Sequence, residues 1–571
     1  YDLVTDKMAK KNWIQSIILF IGIIFLFSVS GLSKLLTDYF WFDAMGFSQI
    51  FLTIFKSKIL LFLVGSSIFL LFSGINLWIA SRFSKNEKGF ISFKFRLIML
   101  LLFSFIIGIT FSSKWLIVLQ YINQISFNLK DPIFLRDVSF YIFSLPFFLT
   151  IWGIIISCLI LTGILILFYY LSPIKPNFSE RNIHTGQIPE NQFNIKNTFP
   201  KFKRNANIHL GILGSLFFVL ISIKHYFSQF SIMYSKAGVV VGAGYSDVIA
   251  YLPLIKLLMV LAIMVAILFI IKIFYFSKNP KLKKRHIFMY FLGVYVLLVF
   301  MGPVLIPGIV QSLVVEPNEV NLESPYIENN IKFTKIAYGL SDVEEKDFSV
   351  ELGLNSEVIN RATGTIDNIR ILDWRPLTQT YKQTQEIRLY YDLSGIDIDR
   401  YDIDGKYTQV MIAPRELDQN QIAQNAKTWV NLHLVYTHGF GVVMSPVNSV
   451  TSEGLPNFFI KDIPPIYTVN DSNFKISWPQ IYYGEKNNDF VLVNTKANEF
   501  DYPKGNKNRY INYDGSGGVN INSFLKKLVM AIRFGDIKLM LSSDIDYNSK
   551  IMFYRNIKER ISKITPFLKL D

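Results

Sequence analysis

The sequence predicts a multi-pass α-helical membrane bundle of about seven spans, followed by an α+β extracytoplasmic domain. Three observations carry this. Of the 571 residues, 51% are apolar, and long apolar runs crowd residues 1–310. The net charge of +15 is divided unevenly: residues 1–310 hold 29 Lys and Arg against 10 Asp and Glu, whereas residues 311–571 hold 29 against 33. After Gly308 the runs give way to short elements separated by turn residues. The expected division is therefore 1–310 for the membrane half, with interfacial outer segments, and 311–571 for the exported half.

A bilayer core needs about 20 mostly apolar residues per helical span. Seven stretches qualify, near Trp13–Gly31, Ile54–Ser81, Leu97–Phe111, Leu145–Leu171, Ile208–Ile223, Leu252–Phe274 and Ile287–Ile306. The third and fifth are short and are expected to extend by a turn. The first follows Lys7, Lys10 and Lys11, as a signal peptide would, but it is long for one and no small-residue cleavage pattern follows. It reads as a retained span.

Orientation follows from the connections. The N-terminus, Arg82–Arg96, Lys175–Arg204 and Lys272–Arg285 hold 20 basic residues, and the alternate connections and span ends hold 9. Basic loops stay cytoplasmic. Seven spans from an inside N-terminus put the C-terminal domain outside. The outer segments "SKLLTDYFWFDAMGFSQIF" (33–51) and "SKWLIVLQYINQISFNLKDPIFLRDVSFYIF" (113–143) mix aromatics with few charges, which suits helices lying at headgroup level. "GVVVGAGYSDV" (238–248) reads as a tight external turn. The span centres are nearly free of ionisable residues, which counts against a transporter. Gly302, Pro303, Pro307 and Gly308 are expected to end the last span.

In the exported half, "NLESPYIENNIKFTKIAYGL" (321–340) predicts a helix starting near Ser324–Pro325. "QTYKQTQEIRLYYDL" (379–393) predicts a helix and then a strand. Asp404-Gly405, between alternating runs, predicts a two-residue hairpin. A second hairpin is expected around Lys486–Asn488, and "SFLKKLVMAIRFGDIKLMLS" (523–542) predicts a helix followed by a strand. Cys158 is the only cysteine, so this half is held by packing without internal disulfides. No cofactor fingerprint is present, and the polar half lacks the basic aromatic face of a nucleic-acid binder.

Four constellations are weighed for chemistry. Asp397, Asp399, Asp402 and Asp404 suggest a cation, but the calcium-loop pattern fails, since its first and twelfth positions are Arg400 and Met411. The Gly-rich stretch 514–528 precedes a helix capped by Asn522 or Ser523 but lacks a phosphate-binding pattern. The stretch 365–388 carries Asp367, Arg370, Asp373, Arg375 and Glu386. Paired carboxylates suit acid–base work, though alternating charge reads more simply as salt-linked surface. "TWVNLHLVYTHG" (428–439) reads as a helix stopped by Gly439, with His433 and His438 five residues apart. One helical face places metal ligands three or four apart, so this spacing splays them. Ser445 and Asp462 would complete a nucleophilic triad, but no nucleophile-elbow pattern surrounds that serine. Structural histidines are the favoured reading.

The stretches "DPIFLRDVSFYIFSLPF" (131–147), 362–392, 397–417, "TWVNLHLVYTHGFGVVMSPVNSVTSEGLPNFFIKDIPP" (428–465), "PQIYYGE" (479–485) and "RISKITPFL" (560–568) together form a long, specific pattern. On these stretches the chain resembles the bacterial multi-pass membrane proteins of uncharacterised protein family 0182. The resemblance implies seven spans, an extracytoplasmic domain and a bacterial cell membrane; it implies no activity and transfers no catalytic residue. Family members run on past the "PFL" element, so the chain is expected to be a fragment. The leading expectation is an envelope protein that displays its external domain for binding or assembly, with the bilayer, envelope proteins or cell-wall components as partners. The alternatives are an exported hydrolase or transferase on cell-wall or lipid substrates, and a transporter with an external lid.

Overall fold

A computed structural model of the chain describes residues 28–83, 93–171, 204–273, 285–347, 353–393, 395–469, 475–505 and 507–569. Contacts divide the chain into two compact units. One is Ile54–Asp347; the other joins the residues through Thr53 to Phe348–Asp571.

The helical elements are α1 (28–44), α2 (Ser48–Phe83), α3 (Phe93–Ser112), α4 (Trp115–Ile122), α5 (Leu145–Leu171), α6 (Arg204–Ser228), α7 (Leu252–Ile271), α8 (Arg285–Val310) and α9 (Glu319–Ala337). Among the described residues, six helical segments are long and apolar enough to cross a membrane. They coincide with the second to seventh predicted spans, and the third and fifth extend as expected. The first predicted span lies largely outside the described residues. Large apolar side chains point outward along these helices, as Phe300 (76% exposed) and Val304 (72%) do on α8. Outward apolar surface of this kind is costly in water and suits lipid.

Polar side chains pin the helices to one another. Ser73 on α2 meets Thr162 on α5 at 2.6 Å. His209 on α6 uses both ring nitrogens, 3.0 Å from Asn76 on α2 and 3.0 Å from Tyr170 on α5. His225 meets Tyr295 on α8 at 3.0 Å. Two buried histidines near the two ends of α6 thus tie helices together.

The prolines do not end the helix. Helix α8 runs through Pro303 and Pro307, widens into a π turn at Gln311–Val315 and leads by a short 3-10 turn into α9. Proline removes a backbone donor but is tolerated in apolar helices when the freed groups find other partners. Helix α9 starts at Glu319, ahead of the predicted start, and keeps Pro325 inside it.

The second unit is mixed α/β with small antiparallel sheets. Short helices α10 (Ser356–Arg361), α11 (Thr363–Ile366) and α12 (Trp374–Gln385) precede strand β1 (Tyr391–Asp392). Strands β2 (Asp397–Ile403) and β3 (Lys406–Pro414) form the predicted hairpin, with Asp404 and Gly405 at φ 53° and 76°. That left-handed pair is the backbone a two-residue turn requires, and Asp-Gly tolerates it. The remaining strands are β4 (Glu416–Leu417), β5 (Gly439–Phe440), β6 (Val442–Pro446), β7 (Ile460–Lys461), β8 (Ile466–Tyr467), β9 (Gln480–Ile481), β10 (Val491–Val493), β11 (Glu499–Lys504), β12 (Lys507–Ile511), β13 (Val519–Asn520) and β14 (Lys550–Met552). The largest sheet has the order β2-β3-β6-β7-β8, and a second has β10-β14-β13.

The hairpin expected at Lys486–Asn488 does not form. Strand β9 pairs with β5 and β10 pairs with β14, so the two flanks take distant partners. Helix α13 (Phe524–Phe534) forms where its apolar spacing predicts it and ends at Gly535 in the left-handed region, but α14 (Lys538–Leu541) follows where a strand was expected. Helix α15 (Ile557–Ile564) is last.

The main core of this unit gathers Leu492, Val519, Met530, Ile551 and Phe553 around Trp41 and Phe42 of α1. Trp41 and Phe42 are 3% and 5% exposed, so these rings are buried against protein. Tyr554 seals the join. Its ring meets Trp41 edge-on at 5.3 Å, and its hydroxyl donates to Asp38 at 2.6 Å.

Candidate functional site

The opening of the site is a close approach of backbones. Residues 431–435 form a π turn, where a longer helix was expected, and Gly439 then enters β5. A Cβ at Gly439 would stand 2.1 Å from the Arg415 carbonyl oxygen, so only glycine lets β5 pass β4 this closely. The pairing Gly439↔Ile481 and Phe440↔Gln480 fixes His438 just before the strand.

His438 is 1% exposed and is enclosed by Thr437, Glu499, Asp501 and Tyr482. Its Nδ1 lies 2.9 Å from the Thr437 hydroxyl, which in turn donates to Glu499 at 2.5 Å. The Tyr482 hydroxyl donates to the same carboxylate oxygen at 2.9 Å. Nε2 faces Asp501 at 3.5 Å, and Gln480 donates to that Asp501 oxygen at 2.9 Å. Glu499 and Asp501 both lie on β11, where a register shift between Phe500 and Tyr502 interrupts the pairing with β12 and leaves both acids buried.

Two buried arginines frame this cluster. Arg555 donates to the carbonyls of Tyr482, Asp489 and Thr437. Arg415 donates to the backbone and side-chain oxygens of Gln385. Glu416 accepts from the backbone N–H groups of Glu485 and Lys486, both at 2.9 Å, and so holds that loop.

Burial disfavours an imidazolium, but Asp501 and Glu499 outweigh it and hold the His438 pKa above its ordinary value of 6.5. A group raised on folding contributes stability that is fully present below its unfolded pKa. That stability is lost as pH rises through the folded pKa. Thermal unfolding of the full chain is therefore expected to move to lower temperature as pH is raised from below 6.5 into the alkaline range. His438→Gln should flatten that dependence; an unchanged slope would remove His438 from the balance.

The other nominated residues lie elsewhere. His433 stacks on Phe490 at 4.1 Å with its Nδ1 2.8 Å from the Phe490 carbonyl oxygen, and burial holds its pKa below the ordinary value. Ser445 meets the Tyr381 hydroxyl at 2.7 Å, while Asp462 accepts from Gln385 at 3.3 Å. Asp367 accepts through its carbonyl from Asn448. Asp373 and Glu386 cap opposite ends of α12, and Asp373 pairs with Arg375 on the surface. Asp397, Asp399, Asp402 and Asp404 are all exposed; strand alternation puts Asp397 and Asp399 on one face and Asp402 on the other. Among the described residues, no group of three His, Cys, Asp or Glu side chains is placed to hold a metal ion. The Gly-rich stretch folds around the Tyr513 hydroxyl, which accepts from Gly517 N–H at 2.8 Å, and Ser523 caps α13.

The family model of an uncharacterised protein family, UPF0182, matches residues 15–571. The chain belongs to UPF0182. A UPF0182 protein of Desulforamulus reducens is 42% identical over 599 residues, covering 99% of this chain and 61% of that protein. One from Pelotomaculum thermopropionicum is 36% identical, covering 96% and 60%. One from Trichodesmium erythraeum is 37% identical, covering 99% and 60%. The chain thus spans about three-fifths of the length of these UPF0182 relatives. No solved structure matches.

Sequence reasoning singled out one member of this UPF0182 cluster, His438. Glu499, Asp501, Tyr482, Glu416 and Arg555 went unnoticed. The alternation of acids in "NEFDYP" (498–503) is the one local signal for two of them.

Proposed function

We propose that this UPF0182 chain is an integral membrane protein that displays its mixed α/β unit on the extracytoplasmic face of the cell membrane, as a platform for binding or assembly. The observation that carries the non-enzymatic reading is burial. His438, Glu499 and Asp501 are 1%, 1% and 3% exposed, and a catalytic base must reach a substrate proton. A cluster sealed in this way acts as structure. The excess of basic residues on alternate connections, 20 against 9, supports the orientation.

Cysteine labelling tests the orientation, because Cys158 is the only cysteine and is buried. In a Cys158→Ser chain, Glu453→Cys is expected to react with a membrane-impermeant maleimide in intact cells. Arg82→Cys should react only after permeabilisation; the reverse pattern overturns the orientation. For the platform reading, His438→Gln should lower the yield of folded chain. A variant that accumulates normally yet fails to complement a deletion strain would favour the hydrolase or transferase alternative.

A further inference from the structure

The helical unit contains a cavity of about 410 Å³ that none of the nominated constellations touches. It lies where one end of the bundle converges: before α5, after α6, before α7 and along α9. Its size falls in the range of about 300–1,000 Å³ typical of small-molecule sites.

The chemistry of the wall narrows the ligand. Among the described residues, no Lys, Arg or His lines the cavity, so its described wall offers no cation to an anion. Its one acid, Asp131, is 2% exposed and saturated. The carboxylate accepts from the N–H groups of Ile133, Phe134 and Arg136 and from the Tyr141 hydroxyl, at 2.6–2.9 Å. The Tyr234 hydroxyl donates to the Tyr141 carbonyl, and Asn330 donates to the Val241 carbonyl. These bonds fix the wall and leave Ile133, Val138, Met233 and Phe333 as its apolar surface. Ile142 and Val241 are 47% and 60% exposed on this wall, so apolar surface is also presented outward, as suits an opening toward lipid. A transport site for a polar solute would show the opposite character.

We infer that this cavity binds one long acyl chain, carried by a membrane phospholipid or a free fatty acid. The inference rests on the reading that the six apolar helices cross a bilayer. Hydroxyl and amide groups of Tyr326, Asn329 and Thr334 line the α9 side and suit the uncharged ester of a phospholipid chain, or the carboxyl of a fatty acid bound in its protonated form.

The test uses the full chain in vesicles of phosphatidylglycerol and phosphatidylethanolamine containing a phospholipid with a diazirine at the end of its palmitoyl chain. After photolysis, label is expected on 240–243 and 333–338, and also on the outward residues Phe300 and Val304 of α8. Val138→Trp, or the milder Thr334→Trp, should reduce cavity labelling about tenfold, equivalent to about 1.4 kcal/mol of binding, and leave α8 labelling unchanged. Label on α8 without label in the cavity overturns the inference while the bilayer reading stands. Undiminished cavity labelling in both Trp variants also overturns it. Absence of label on α8 overturns the bilayer reading and the inference with it. Excess unlabelled palmitic acid that removes the cavity label assigns the chain to a free fatty acid; persistence of the label assigns it to the phospholipid.

Discussion

Replacing Arg555 with Ala is expected to destabilise the mixed unit by about 4 kcal/mol or more, since each buried acceptor left unpaired costs about 1–3 kcal/mol. The side chain is 1% exposed and its guanidinium satisfies three backbone carbonyls. Those carbonyls belong to Thr437, Tyr482 and Asp489, so one side chain ties the start of β5 to the segment from β9 toward β10. Burial lowers its pKa to about 10, which leaves it charged at neutral pH. Native domains are stable by only about 5–15 kcal/mol, so the loss should appear as proteolysis of the unit and low abundance. Arg555→Lys keeps the charge but not the planar fork of donors, and should fall between wild type and Ala. Pulse proteolysis across a denaturant series checks the order. Equal stability of Ala and wild type would mean that the carbonyls find other partners.

Gly439→Ala is expected to cost about 3 kcal/mol, the upper part of the range for forced overpacking. The added carbon would meet the Arg415 carbonyl oxygen at 2.1 Å, Glu416 Cα at 2.8 Å and Leu417 N at 3.0 Å. All three are backbone atoms, so no side-chain rotation relieves the clash. Either β4 or β5 must move, and with it the Glu416 carboxylate that holds residues 485–486. Gly364→Ala is the matched control, because an added carbon there meets nothing within 4 Å. Chemical denaturation of the two variants side by side should show a large loss for the first and little change for the second.

Much of the helical unit was legible in the sequence. A run of about 20 apolar residues has few readings other than a span, and six of the seven predicted runs are candidate spans in the structure. The Asp404-Gly405 hairpin was legible because its turn chemistry is local. Non-local choices were not. Nothing within "IYYGEKNNDFVLVNT" announces that its two flanks pair with β5 and β14. Pro303 and Pro307 signal an end that the surrounding helix overrides. The partners of His438 lie far along the chain, as the separation of 62 positions from Thr437 to Glu499 shows. Counting spacings around the histidine therefore weakened the metal and triad readings without finding the carboxylates that enclose it.

The place of α1 in the core of the mixed unit has a consequence for the order of events during synthesis. Asp38 and Tyr554 are joined by a hydrogen bond across 516 residues. Ribosomes add about 5–20 residues per second, so Trp41 and Phe42 wait roughly half a minute or longer before the segment that covers them exists. The first aromatic residues of this core to be made are among the last to be enclosed. Until then they must be sheltered by something other than their final neighbours.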